Sequence, residues 1–178
     1  TIGRRQRQMC IRDSNYAIDF IKRNKDNPFF IYYPMLLVHD PFVPTPDSEE
    51  WSSQDLRYKK DNRFFIDMVE YMDKIVGKIV NELKVNGIDE NTLIMFIGDN
   101  GTNVKLVTKT VDGEIQGGKG NTITHGVHVP MVASWPSMIK MPLSYNGLID
   151  LTDFYATFSD ILDVPNDSDG KSMINIFK

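Results

Sequence analysis

The sequence predicts an α/β fold built around a mostly parallel sheet. Short apolar runs at Pro28–Tyr33, Leu93–Ile97 and Met131–Trp135 are each closed by glycine or proline. An unbroken run of that length, bounded by turn residues, suits a strand buried on both faces, as in parallel sheets. Between and after these runs, residues 61–84 and 148–162 place apolar side chains at three- and four-residue steps, the pattern of amphipathic helices. The third observation is the end of the Leu93 run, Gly98-Asp99-Asn100-Gly101. In open α/β sheets, ligands sit beyond the carboxyl ends of the strands, where Asp99 and Asn100 stand.

In chain order, residues 1–13 share no periodicity with the rest of the chain. Met9-Cys10-Ile11-Arg12-Asp13 resembles a translated transposase adaptor, so 1–13 is set aside as artefact and 14–178 is taken as the native sequence. Excluding it moves the net charge from −4 to −7. Ser14 is placed to cap a helix running to about Asn24, with Ala17, Phe20 and Ile21 on one face. Pro28–Tyr33 reads as a buried, aromatic-rich strand ended by Pro34. Met35–Pro46 is a proline-punctuated loop carrying His39 and Asp40.

In the helix over 61–84, Met68, Val69, Met72, Ile75, Val76 and Ile79 form the core stripe, and Asn86-Gly87 is the stop. This helix is scaffold. Asn103–Gln116 turns at Asp112-Gly113 and fits a hairpin or an ordered loop. Gly117-Gly118-Lys119-Gly120 lets backbone approach a ligand closely around one lysine, a point charge suited to an oxyanion. The spacing is not that of a P-loop. Thr124–Pro130 holds His125 and His128, three apart with no helix signal and no adjacent third ligand, which disfavours zinc.

Composition limits the function classes. An apolar fraction of 41% and a charged fraction of 25% are those of a soluble globular domain. The acidic balance argues against nucleic acid as partner, and no apolar stretch is long enough for a membrane span. The single cysteine, Cys10, excludes an internal disulfide framework. Asp99 and Asn100 offer oxygen ligands of the kind a hard cation prefers. Read alone, that stretch is first of all an ordinary turn, since Asp, Asn and Gly are common turn residues.

Taken in order, four segments resemble the sulfatase family of the alkaline-phosphatase superfamily. Pro28–Pro34 with His39 and Pro41 looks like the family's strand and active-site histidine. Met68–Asp73 looks like the family's next helix, and Gly98-Asp99-Asn100-Gly101 like its metal-binding turn. Gly117-Gly118-Lys119-Gly120 and Gly126-Val127-His128-Val129-Pro130 look like its sulfate-binding lysine loop. The resemblance implies the carboxyl-side part of an alkaline-phosphatase-like sandwich, incomplete here. It implies a sulfuric ester hydrolase in which Asp99 and Asn100 bind Ca2+, with Mg2+ the other candidate. Lys119 and His39 would be catalytic and sulfate-binding, with His125 and His128 as further candidates. The family's nucleophile is formylglycine made from a cysteine in Cys-x-Pro-Ser-Arg. Cys10 is followed by Ile11, Arg12, Asp13 and Ser14, so the nucleophile is expected upstream, together with an aspartate pair for the metal. The 178-residue chain alone is therefore expected to be inactive.

The expected substrate is a sulfated small molecule or glycan, with Met35–Trp51 and Asn103–Gln116 as candidate specificity loops. The resemblance also implies a periplasmic or extracellular location. Two other readings stand beside it: a phosphodiesterase or phosphonate hydrolase of the same superfamily, and a non-catalytic binding protein on the same fold.

Overall fold

In a computed structural model, the backbone is described for residues 2–178 and the side chains from Cys10 onward. The elements are α1 (Ile2–Asn24), two 3-10 turns (Glu49–Ser52 and Leu56–Tyr58), α2 (Phe64–Val85), β1 (Ile94–Ile97), β2 (Val107–Thr110), β3 (Gly113–Gln116), α3 (Thr124–Val127), β4 (Met131–Ser134) and α4 (Thr152–Leu162). The strands form two two-stranded sheets, β1 with β4 and β2 with β3. The chain divides into two compact units. One runs to Ile88 and resumes over Phe96–Val132; the other comprises Asp89–Met95 and Ala133–Lys178.

The first unit is organised on α1 and α2. Phe64, Met68, Tyr71 and Ile75 are buried along one face of α2, at the three- and four-residue steps that line up side chains on a helix. They join Cys10, Leu37, Phe42 and Leu106 in one apolar cluster. Phe42 meets Phe65 edge to face at 5.5 Å, an arrangement worth about 0.5–1.5 kcal/mol beyond its buried area. The helix ends as the sequence predicts. Gly87 takes φ of +68°, which glycine adopts without a Cβ clash, and its amide returns to the Lys84 carbonyl.

Two expectations in this unit are corrected. Ser14 does not cap a helix. It lies inside α1, which begins at Ile2, and its buried hydroxyl bonds back to the Ile11 carbonyl at 3.0 Å. Residues 2–13 thus continue the same helix, and Cys10 is a core residue of this unit. Pro28–Tyr33 is not a buried strand. Neither sheet includes it, and Phe30 and Tyr32 are 69% and 79% exposed. Burial alternates along it, with 29, 31 and 33 half-buried between exposed neighbours. That period of two belongs to extended backbone lying on a core with one face only. Tyr33 faces inward and donates to the Cys10 carbonyl at 3.3 Å.

The Asn103–Gln116 segment resolves into a hairpin. β2 and β3 are antiparallel, with Val107 opposite Gln116 and Thr110 opposite Gly113. Both strands are exposed throughout. β1 is half-buried at every position rather than buried on both faces, and β4 alternates half-buried and exposed.

In the second unit, α4 begins at Thr152, four residues later than its apolar pattern predicts. It ends at Asp163, whose φ of 53° is left-handed. The carboxyl-terminal residues return to α4 through fixed polar links. The fully buried Thr157 hydroxyl donates to the Asp153 carbonyl at 2.6 Å and accepts the Met173 amide at 2.9 Å. The Asp153 carboxylate accepts the Lys171 amide at 2.7 Å. These bonds seat Met173 and Phe177 as buried residues.

Candidate functional site

His39, Asp99, Asn100, Lys119, His125 and His128 all fall in the first unit. Asp99 and Asn100 follow β1 after a single residue, Gly98, so the strand sets their position. The Gly98 amide donates to Pro130 at 3.1 Å, and the Gly101 amide donates to Gly126 at 2.9 Å. The Lys119 amide donates to the Thr102 carbonyl at 3.0 Å. The acidic turn and the lysine loop are therefore bound to each other backbone to backbone.

Glycine makes that approach possible. A Cβ on Gly101 would overlap the His125 carbonyl oxygen, and one on Gly117 the Asn103 carbonyl oxygen. One on Gly118 would meet the His125 backbone, and one on Gly126 the Asn121 carbonyl oxygen. Four main-chain segments meet at distances only glycine allows. Lys119 is thus carried on a loop with a fixed backbone, half-buried.

His39 lies on a loop with cis peptide bonds at Leu37–Val38 and Asp40–Pro41. Its amide donates to Leu36 at 3.0 Å. Its ring Nδ1 is 2.6 Å from the Asp40 carbonyl oxygen. A carbonyl can only accept, so in this contact Nδ1 carries the proton, and Nε2 is the ring nitrogen not engaged by it. Sequence reasoning did not single out the residues that anchor this loop. The Asp40 carboxylate is 3.8 Å from Lys105 Nζ, and Asn62 Nδ2 donates to the Lys105 carbonyl at 3.3 Å. Lys105 is three residues beyond Thr102, the partner of Lys119. The only sequence signal for it is its place just after the Asp-Asn-Gly turn.

His125 and His128 do not form a metal pair. His125 lies within a single helical turn, α3, which the sequence did not predict, and His128 follows it directly; both side chains are exposed. Among the described residues no group of three or more His, Cys, Asp or Glu side chains is arranged to hold a metal ion. What α3 contributes is backbone, since the His125 and Gly126 carbonyls lie against the acidic turn and the lysine loop.

Asp99 and Asn100 match a hard cation in donor chemistry but not in number. Ca2+ takes about six to eight oxygens, and these two side chains are not a site by themselves. Cys10 does not serve as nucleophile here. It is buried to 2% exposure, and burial pushes its thiol pKa up, against thiolate formation.

The chain matches the Sulfatase family model over residues 14–164. It is 32% identical over 165 residues to an arylsulfatase of Hemicentrotus pulcherrimus, covering 90% of this chain and 28% of that protein. The crystal structure of Ps i-CgsB superposes with a TM-score of 0.71 at 29% identity, covering 92% of this chain and 37% of that one. The same protein in complex with k-i-k-neocarrahexaose gives 0.67 at 28% identity over the same shares. The chain thus spans little more than a third, or less, of the length of these relatives. No helix among its described residues is long and apolar enough to cross a membrane. With the predicted alkaline-phosphatase-like fold matched in solved structures and the family model covering most of its length, this chain belongs to the sulfatase family.

Proposed function

We propose that the protein containing this chain hydrolyses sulfate esters, and that this chain supplies charge-stabilising groups of its site. The observation that carries the reading is the backbone link between Asp99-Asn100-Gly101 and the Lys119 loop, through Gly101–Gly126 and Lys119–Thr102. It holds two oxygen ligands and an ammonium group on one framework. Cleavage of a sulfate ester develops negative charge on sulfate and bridging oxygens. A preorganised cation aimed at that charge lowers the barrier without reorganising in the step. Lys119 has that role.

His39 binds the ester and delivers a proton to the leaving alcohol. Its Nδ1 is engaged by Asp40, so Nε2 is the nitrogen that does so. Asp99 and Asn100 are two ligands of a Ca2+ site, with Mg2+ as the alternative ion, completed by groups outside these 178 residues. When bound, such a cation polarises sulfate oxygens. The nucleophile, formylglycine in this family, is not encoded here, since no Cys-x-Pro-Ser-Arg occurs in the sequence. The 178-residue chain alone is therefore inactive. The substrate is a sulfated small molecule or glycan, a choice supported by the k-i-k-neocarrahexaose held in the structure of a similar protein. A periplasmic or extracellular location rests on the family resemblance alone.

The test is sulfate release from an aryl sulfate and from sulfated oligosaccharides. The full-length protein and the 178-residue chain are assayed in parallel, with phosphate esters alongside. The expected result is sulfate release by the full-length protein only. Hydrolysis of phosphate esters without sulfate esters would overturn the activity, and turnover by the short chain would overturn the division of labour.

A further inference from the structure

A cleft of about 270 Å³ opens beside the His39 loop, walled by residues 40–42, 60–62 and Lys105. Two of its three walls are continuous with the candidate site. Residues 40–42 come directly after His39. Lys105 comes just after the acidic turn, and its amide donates to Asn103 Oδ1 at 3.0 Å, next to the Thr102 that holds Lys119. The third wall, 60–62, leads into α2. It is tied to the others by the Asp61 amide on Phe42 at 3.1 Å and by Asn62 on the Lys105 carbonyl.

The cleft walls carry two carboxylates, Asp40 and Asp61, and two ammonium groups, Lys60 and Lys105. Asp61 Oδ1 already accepts the Arg63 amide at 3.1 Å. Lys60 makes no ion pair among the described residues, and Lys105 meets Asp40 only at 3.8 Å, longer than a hydrogen bond. The one aromatic residue in its walls, Phe42, is buried beneath the cleft and offers no platform. A larger cleft of about 370 Å³ runs along α2. Its lining is mainly acidic, and its one basic residue, Arg63, is engaged by Glu50, so it offers no free cation to an anionic group.

We propose that the smaller cleft is a subsite for a second anionic group, sulfate or carboxylate, on the sugar bearing the scissile ester or on its neighbour. Lys60 and Lys105 would thereby select acidic saccharides over plain aryl or steryl sulfates. This rests on the sulfatase reading above. Ammonium groups act as point charges with rotatable donors, so either anion is accommodated. Lys105 exchanges its long contact with Asp40 for the incoming anion. The cleft falls just below the range of roughly 300–1,000 Å³ that holds a drug-sized ligand. It has room for a charged substituent and part of a ring.

The test measures kcat/KM of the full-length protein on a monosulfated monosaccharide, the same sugar carrying a second sulfate, and a monosulfated disaccharide carrying a uronic acid. The expected result is a preference of about tenfold for an acidic substrate, the scale of one charge-assisted contact. Which substrate shows the preference identifies the anion. Lys60→Met with Lys105→Met should bring the ratio close to one, and Lys105→Arg should retain it. The ratio is internal to each variant, so a general loss of active protein does not mimic the effect. Equal rates on all three substrates, or an unchanged ratio in the double variant, would overturn the subsite. If no sulfate ester is turned over, the sulfatase reading fails. Calorimetric binding of the disulfated sugar then decides the subsite: weaker binding in the double variant supports it, and equal binding overturns it.

Discussion

The Gly101 amide lies 2.9 Å from the Gly126 carbonyl, and a Cβ on Gly101 would overlap the neighbouring His125 carbonyl oxygen. This contact joins the turn carrying Asp99 and Asn100 to the stretch just after the Lys119 loop. Gly101→Ala must push two main-chain segments apart. It should cost about 1–3 kcal/mol, the usual range for overpacking, and lower sulfate release by the full-length protein. Denaturant midpoints and turnover, measured together, check both effects. An unperturbed midpoint would show that the two loops are not in register.

A contrasting glycine is Gly77, in the middle of α2, where an added Cβ has nothing within 4 Å. Gly77→Ala should stabilise the protein by about 0.5–1 kcal/mol through helix propensity alone. Thermal unfolding reads the change. A loss of stability would mean that this face of α2 is covered.

Lys119 is held by its own amide on Thr102, so Lys119→Ala removes the ammonium group and leaves that backbone bond in place. In the full-length protein kcat should fall about 10²–10³-fold, the scale of losing one preorganised donor. The unfolding midpoint should stay within about 0.5 kcal/mol, as for surface substitutions. A fall in stability matching the fall in rate would make Lys119 structural.

Cys10, Tyr33 and Tyr71 belong to or touch one apolar cluster, and burial raises the pKa of all three. Their ordinary values are 9.0 for the thiol and 10.0 for the phenols. The unfolded chain therefore loses these protons first as pH rises. Stability is fully present below the thiol's ordinary value and is lost as pH climbs toward the raised folded values. Unfolding midpoints between neutral pH and about pH 11 should fall at the alkaline end. Cys10→Ala should flatten the earlier part of that fall. Alkylation of Cys10 should be slow in the folded protein and fast in denaturant.

Thr157 bridges the Asp153 carbonyl and the Met173 amide with one buried hydroxyl. Thr157→Val keeps the shape and strands the Met173 N–H, at a cost of about 1–3 kcal/mol for an unsatisfied buried donor. Amide exchange at Met173 should accelerate in the variant while exchange in α2 stays unchanged. Equal protection at Met173 would mean that another acceptor takes over.

The legible part of this protein was local. The α2 stripe, the Asn86-Gly87 stop, the Leu93 run with its Asp-Asn-Gly end, and the glycine-rich lysine loop all state their structure within a few residues. Backbone sterics and side-chain period act over that range. The same short-range signals, in order, identify the family. Where sequence reasoning failed, the deciding partner was distant in the chain. Pro28–Tyr33 has strand residues, but a strand needs a neighbour to pair with, and its own composition does not state one. Ser14 has a capping side chain, but the helix runs past it because α1 lies against α2 and buries Cys10, Ala17 and Ile21.

The candidate site divides the same way. Residue types made His39, Asp99, Asn100 and Lys119 candidates, and the ordered resemblance of four segments to the sulfatase family, rather than any one residue, singled them out. Only the tertiary structure showed that the acidic turn and the lysine loop share one backbone framework, that His39 Nδ1 is engaged by the Asp40 carbonyl, and that Lys105 reaches toward Asp40. The shared framework depends on main-chain carbonyls and amides meeting across long sequence separations. Every residue carries such groups, so the letters of a sequence do not distinguish which ones will meet.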